Sequence, residues 1–458
     1  RVSKNDVRSS RHSIPRICFE AQDLTSFGGS VLFQALFKSV NFKARLTHCT
    51  RHVRSSSSYG LHNILATLVV HVLLGWRRLS DVAYYRDDPM IKRLLGLKII
   101  PPVCTLSRGL RMMTAGVVER LRKLVLSLVL ERVAASGMKR LTVDFDGSVL
   151  STKSRCTEGT AVGYNPKAKG ARSYYPLFAT LAQTGQVLDV LHRPGNVHDS
   201  KEAMEFVDAT FSAIRESGFR GVLEARLDGA HFSDFACYWL DHLGVDFSVS
   251  VPFERFPELK QKIESRKRWR TIDDDWAFFE QDWRPKSWGD LQFRCIIYRH
   301  RLPVPRKGPI QLDLFIPIDW QYEYKAVMTN KAEGAGAVLA FHNGRGSQEG
   351  IFAELKSQAN MDYIPTRRRI GNQVFLLCTA LAHNLNRELQ MRVRPRRGRN
   401  TKKRACLWAF DKIGTFRHRL IQRAARLTRP SGALTLHLSA NRAAADEIKG
   451  YLDELNAA

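Results

Sequence analysis

Arg345, Glu349 and Lys356 fall at i, i+4 and i+11 within the run His342-Asn-Gly-Arg345-Gly-Ser-Gln-Glu349-Gly-Ile-Phe-Ala-Glu-Leu-Lys356. At about 3.6 residues per turn those steps return to nearly one face of a helix. A carboxylate between two cations on one face can hold a metal ion while the cations meet phosphate. Two further acidic sites lie upstream, Asp144/Asp146 before Gly147 and Asp228 before Gly229. Each closes a stretch patterned as a strand. Asp144 and Asp146 share a strand face by period-two alternation, and Gly147 lets backbone and metal approach closely. Phosphodiester cleavage needs an activated water or 3′-hydroxyl and charge stabilisation at phosphorus. Two Mg²⁺ ions roughly 3.5–4 Å apart supply both, and Mg²⁺ takes carboxylate oxygens, with Mn²⁺ as a substitute. Singly, an Asp before Gly is a common turn residue, and a Glu between Arg and Lys is a common ion-paired surface residue. The joint pattern Asp146, Asp228, Glu349 is what points to a site. Its spacings are 228 − 146 = 82 and 349 − 228 = 121, the second wide enough to hold an inserted segment.

Elements must bring those acids together, and the pattern along the chain indicates which. Leu61–Trp76 and Gly116–Ala135 read as helices, the second with Leu121, Leu124, Leu128 and Val129 as an apolar stripe. Residues 1–137 therefore read as a mainly helical domain. Pro102–Met113, with Arg108 and Arg111, is a candidate DNA-contacting helix within it. From Arg140 the pattern turns to strands: Leu141–Asp146, Tyr175–Gln183, Gln186–Arg193, Gly221–Asp228 and Val245–Val251, with helices at Lys201–Glu216 and Phe232–Leu243. This is an α/β domain with a mixed sheet, its first part at 138–251. Residues 252–330 read as a β-rich insertion, with strands at Phe293–Arg299, Gln311–Ile316 and Tyr322–Thr329. Helical pattern returns over 331–392, the second part of the domain. Residues 393–458 read as a basic C-terminal tail that opens on the Pro/Gly-broken run Arg392–Arg404, able to meet phosphate.

Composition narrows the partner. The 458 residues carry a net charge of +28 and a pI near 10.1, far beyond what solubility requires, which points to a polyanion. The 44% hydrophobic content supports a sizeable core. The eight cysteines form no C-x-x-C pair, which argues against a zinc ribbon and for a reduced compartment. Leu61–Trp76 is short for a membrane span. The start is polar and basic without an apolar signal core, and opens on Arg1 rather than Met.

The stretch His342-x-x-Arg345-x-x-x-Glu349-x-x-x-x-x-x-Lys356 resembles the Y-x-x-R-x-x-x-E-x-x-x-x-x-x-K signature of DDE transposases of bacterial insertion sequences. The stretches VDFDGSVL, EGTAVGYNPKAKG and RLDGAHF further resemble the insertion sequence thirteen-eighty family. The resemblance covers most of residues 20–390, in order and spacing. It implies a ribonuclease-H-like fold interrupted by a β-insertion before the Glu-bearing helix. It also implies a catalytic, metal-holding triad of Asp146, Asp228 and Glu349, with His342, Arg345 and Lys356 on DNA. The expected activity is hydrolysis at the terminal inverted repeats and joining of the 3′-hydroxyls to target DNA. A homodimer on double-stranded DNA, in the bacterial cytoplasm at the nucleoid and away from membranes, goes with it. His342 stands where the family has Tyr, and Asp228-Gly where this branch has Asp-Ser.

The loop Gly163–Arg172 offers Lys167, Lys169 and Arg172 to phosphate. Trp320, Tyr322 and Tyr324 are candidates to stack on a base turned out of the duplex, against core packing as the ordinary role of such rings. Two other classes stay open at this level: a related nuclease that cuts without strand transfer, and a domesticated DNA-binding protein without catalysis.

Overall fold

The computed structural model describes residues 17–54, 59–163, 165, 168–197, 202–302, 322–397 and 401–457. The chain opens on a short strand, β1 (Leu24–Thr25). Six helices follow: α1 (Val31–Ser39), α2 (Phe42–Thr50), α3 (Leu61–Leu74), α4 (Pro89–Leu95), α5 (Val103–Met112) and α6 (Ala115–Ala135). Local chemistry sets their ends. Pro89 stands at the first turn of α4, and the Asp88 carboxylate accepts the free N–H groups of Met90 and Ile91. The same carboxylate accepts the Thr25 hydroxyl at 2.8 Å, which ties β1 to α4. Helix α3 is apolar on nearly every side because it runs through the core. Among the described residues no helix is long and apolar enough to cross a membrane.

A nine-stranded sheet forms the centre. Its strands are β2 (Arg140–Gly147), β6 (Leu177–Leu181), β7 (Gln186–Leu191), β8 (Val222–Leu227), β9 (Val245–Val251), β10 (Arg270–Thr271), β11 (Trp276–Gln281), β12 (Arg294–Arg301) and β13 (Tyr322–Thr329). The spatial order is β10-β11-β12-β13-β9-β8-β2-β6-β7. β2, β8 and β9 are parallel neighbours, and every other pairing is antiparallel. Between β2 and β6 lie three short strands in a separate sheet, β3 (Leu150–Thr152), β4 (Ala161–Val162) and β5 (Arg172–Tyr174). On one sheet face, Leu141, Val143 and Phe145 of β2 and Leu223, Ala225 and Leu227 of β8 are fully buried against helix α7 (Ala203–Glu216) and its neighbours α8 (Asp234–His242) and α9 (Pro257–Glu264). Phe145 meets Phe206 and Phe211 of α7 edge-on. Among its described residues, the segment 252–330 builds no sheet of its own. Strands β13 to β10 extend the central sheet beyond β9, and the expected strand Gln311–Ile316 lies outside the described residues.

Helices α10 (Ala335–Asn343), α11 (Ser347–Gln358) and α12 (Arg369–Val393) follow. The expected helix through Glu349 is tightened at Gly344–Gly346 into a 3-10 turn that keeps right-handed dihedrals. A Cβ at Gly344 would fall 2.0 Å from the Arg226 guanidinium and 2.1 Å from the Lys403 carbonyl, so only glycine fits this crossing.

The C-terminal segment departs most from expectation, since its described residues 401–457 are folded. Strands β14 (Ala425–Thr428) and β15 (Thr435–Leu438) and helix α13 (Arg442–Ala457) follow a short helical turn at Ile413–Phe416. β14 pairs with β1. Ile413, Phe416, Leu420, Ile421, Ile448, Tyr451 and Leu455 are buried in one core with α1, α3, α6 and α12. Arg417 donates to the carbonyls of Leu73 and Val72 and so closes the end of α3. The apolar residues in this stretch outweigh the basic run before it, and burying them is what folds the segment.

Candidate active site

The second face of β2 and β8 carries polar side chains in register. The pairing matches residue n of β2 with residue n + 82 of β8, from Arg140↔Val222 to Asp144↔Arg226. Thr142 Oγ1 donates to Glu224 at 2.6 Å. One step on, Arg226 holds both oxygens of Asp144, the two residues being almost fully buried. Just beyond the last paired residues the same offset relates Asp146 to Asp228 (146 + 82 = 228), and the Asp228 charge acts on the Asp146 carboxyl. The two paired rungs are neutralised internally, and beyond them stands a pair of acids.

The two acids are held differently. Asp146 accepts its following N–H, Gly147, through Oδ1 at 2.8 Å, and takes Arg345 Nη1 on Oδ2 at 3.1 Å. Burial pushes its carboxyl up to about 6; the Arg345 charge opposes this and the neighbouring Asp228 adds to it. Asp228 closes β8 and caps a 3-10 turn at Gly229–His231. Its Oδ1 accepts both the Ala230 N–H at 3.1 Å and His231 Nδ1 at 2.8 Å. Burial acts to raise it as well, but the hydrogen bond and charge of His231, with help from Arg345 and Ala230, bring it below its ordinary value. Two adjacent acids pushed apart in this way mark a place built for charge chemistry.

The 3-10 turn and the start of α11 cap this pair. Gln348 donates to the Asp144 carbonyl at 3.1 Å, which seats the first turn of α11 over the end of β2. Glu349, the next residue, is exposed in that turn. Arg345 therefore bonds to Asp146, while Glu349 faces solvent in the first turn of α11. Among the described residues no three His, Cys, Asp or Glu side chains form a metal-holding group. Lys356, in the last turn of α11, is half-buried. The donor set offered is all oxygen, which suits a hard divalent cation.

His342 is placed otherwise than expected. It is buried in α10, with Nδ1 at 2.9 Å from Ser248 Oγ and Nε2 at 2.9 Å from Ser250 Oγ, both on β9. Burial, with the charges of Lys325, Arg345 and Arg226, holds its pKa well below 6.5. It is a neutral clamp between helix and sheet and has no nitrogen left for phosphate. Gly147 also has another reason. A Cβ there would strike the Tyr175 ring, 2.3 Å away.

Among the flanking residues, Lys169 is exposed, whereas Arg172 is bound to Thr160 through its hydroxyl and carbonyl. Lys167 and Trp320 lie outside the described residues. Tyr322 and Tyr324 are taken up within the extended sheet. The Arg299 guanidinium lies over the Tyr322 ring at 4.6 Å and over Trp269 at 4.9 Å, and Tyr324 packs 5.8 Å from Trp269.

Sequence reasoning passed over several contributors. Lys325 on β13 is half-buried, donates to Asn343 at 2.7 Å, and is held below its ordinary pKa by burial and by Arg345, with Glu323 opposing. Lys153 and Arg155 join Arg172 around a surface depression of about 500 Å³ beside β3. Glu224 is fully buried and accepts from Arg140, Thr142, Lys331 and Arg404. Burial would raise it, but Arg404, Lys331 and Thr142 hold it down to about 2. Arg404, expected on a basic run that meets phosphate, is thus an anchor of the sheet. Only His231 carried a signal in the sequence, standing three residues beyond a strand-ending Asp.

A family model described as "Transposase DDE domain group 1" matches residues 9–458. No curated protein matches the chain. Among solved structures it is similar to the piggyBac transposase in a synaptic complex with hairpin DNA, at 12% identity and a TM-score of 0.38, over 89% of this chain and 80% of that one. It is also similar to a chain of a pre-cleavage Mos1 transpososome, at 12% identity and a TM-score of 0.17, over 37% and 57% of the two chains.

Proposed function

The chain belongs to the transposase DDE domain group 1 family, and on that premise we propose that it excises and joins a bacterial mobile element of the insertion sequence thirteen-eighty type. The observation that carries this reading is the pair Asp146 and Asp228 just beyond the last paired rung of the β2–β8 ladder, close enough for the Asp228 charge to act on Asp146. The order β7-β6-β2-β8-β9, three antiparallel strands followed by two parallel ones, supports a ribonuclease-H-like catalytic core at 138–251 and 331–392. The segment 252–330 would be its insertion, and residues 1–137 would bind the terminal inverted repeats and support a homodimer on double-stranded DNA.

Asp146, Asp228 and Glu349 would hold a divalent cation, Mg²⁺ or Mn²⁺. That ion would supply Lewis acidity at phosphorus and a nucleophile of lowered pKa. The residues fit it through their oxygen donors and through the mutual repulsion of the two aspartates, which calls for a positive charge. Arg345 supplies one such charge by its ion pair to Asp146. With DNA present the same guanidinium can fork onto a phosphate. Burial holds the Asp146 carboxyl up to about 6, and a positive charge at the site would favour its ionised form. Lys325, Lys169, Lys153 and Arg155 would offer further cations to the DNA backbone.

The test is Mg²⁺-dependent cleavage of labelled DNA carrying the gene's own flanking ends. Wild type should cut at the ends and join the 3′-hydroxyls to a target, and Asp146→Asn should do neither. Glu349→Gln should lose at least 10²-fold in cleavage, on the order expected for a missing catalytic group, and keep its DNA affinity. Parallel loss of binding and cutting would make Glu349 a structural residue and sink the triad.

A further inference from the structure

We propose that His231 is a positioning residue of this site, which fixes the Asp228 carboxylate so that a single oxygen, Oδ2, faces an incoming divalent cation. The inference rests on the metal-carboxylate reading above and deepens it. Among the described residues, the two hydrogen bonds that reach the carboxylate, from His231 Nδ1 at 2.8 Å and Ala230 N at 3.1 Å, both fall on Oδ1. Each carboxylate oxygen has room for about two strong donors, so Oδ1 is filled and the remaining oxygen is the one left for a ligand. The carboxylate side chain is 29% exposed, whereas the His231 side chain is only 2% exposed. The imidazole therefore reaches Asp228 from the protein side and the opening lies on the other. Facing a carboxylate, Nδ1 carries the ring proton. Nε2 is buried without a hydrogen-bond partner among the described residues. A histidine retained solely for packing would leave a polar atom stranded for no return, since an aromatic hydrocarbon fills the same space without that cost. Among the described residues the ring makes one hydrogen bond, and that bond ends on Asp228. Hydrogen bonds to a ligating carboxylate set its orientation, and their loss weakens metal binding by about 10–100-fold.

The experiment is Mn²⁺ binding to the full chain without DNA, followed by the loss of the free-ion electron paramagnetic resonance signal. It compares wild type with Asp146→Asn, His231→Phe and His231→Asn. Phe keeps the ring and removes the donor. Asn carries its amide nitrogen close to where Nδ1 lies, so it restores the donor with a smaller side chain. The expected result is at least 10-fold weaker Mn²⁺ binding in His231→Phe and recovery to within about 3-fold in His231→Asn. Unchanged binding in His231→Phe, or equal loss in both His231 variants, would overturn the proposal, the second outcome assigning the residue to packing. Wild-type binding that Asp146→Asn leaves untouched would instead overturn the carboxylate site itself, and the role of His231 with it. A measurement that needs no variant to fold guards the result. In wild type the imidazole ¹⁵N resonances should report a protonated Nδ1 and a bare Nε2, and the opposite tautomer would sink the idea.

Discussion

His342 and Arg345 are three residues apart and have opposite fates. The histidine is spent inside the protein, bridging Ser248 and Ser250, so its difference from the family's tyrosine is no ground for reading the chain as inactive. His342→Phe would keep the ring and strand two serine hydroxyls, at a cost of about 2–3 kcal/mol. A denaturant titration should show that loss with DNA affinity unchanged, and a DNA defect without a stability defect would restore the phosphate-contact reading. Arg345 is part-exposed and bonded to Asp146, so a phosphate and the aspartate compete for it. DNA that draws Arg345 away frees an oxygen of Asp146 for a cation, and by linkage the cation must strengthen DNA binding by the same factor. Calorimetric titration should give equal factors, on the order of 5–150-fold, for Mn²⁺ with and without DNA and for DNA with and without Mn²⁺. Arg345→Gln should abolish the coupling, and coupling that survives the substitution would assign it elsewhere.

At the scale of elements, the shared strand face of Asp144 and Asp146 was legible in the alternation. So were β2, β6, β7, β8, β9, β12 and β13, to within a few residues, whereas β10 and β11 were not. The register was not. That Asp144 is spent on Arg226 while Asp146 is open depends on how β2 and β8 align, a non-local property that no window of sequence contains. The constant offset of 82 was present as a spacing between two aspartates, but its meaning needed the paired strands. Strands of two to four residues such as β3, β4, β14 and β15 are too short to show a period. The basic run at 392–404 masked the apolar residues after it. Those residues lead to a prediction. A chain ended at residue 412 loses Ile413, Phe416, Leu420, Ile421, Ile448, Tyr451 and Leu455 from the core it shares with α1, α3 and α12. It should lose its cooperative thermal transition and become sensitive to protease throughout 24–135. A single sharp transition within a few degrees of the full chain would mean that the segment is dispensable to the fold.

Across the whole molecule, buried histidines set the acid limit. Burial lowers His71 and His383 from 6.5 to about 4 and His192 to about 3, and His342 is lowered as well. Below pH 6.5 these rings gain protons in the unfolded chain and stay neutral in the fold. Their contribution is therefore full above pH 6.5 and declines as pH falls, by up to about 1.4 kcal/mol per pH unit for each ring. Asp146, raised from 3.8 to about 6, takes up a proton in the fold first and offsets one ring between those values. Melting temperature should drop steadily from pH 6.5 toward 4.5, and His192→Phe should reduce the slope by about one proton; equal slopes in the two proteins would refute the assignment. The strand pair β1–β14 bears on the order in which the chain is made. Thr25 pairs with Ala425, so at about 5–20 residues per second the first strand leaves the ribosome roughly 20–80 seconds before its partner. Over that interval the faces of α1 and α3 that the C-terminal segment will cover stay bare, to be met by chaperones or by other nascent chains. How much protein a cell obtains would then depend on the speed of elongation as well as on the stability of the finished fold.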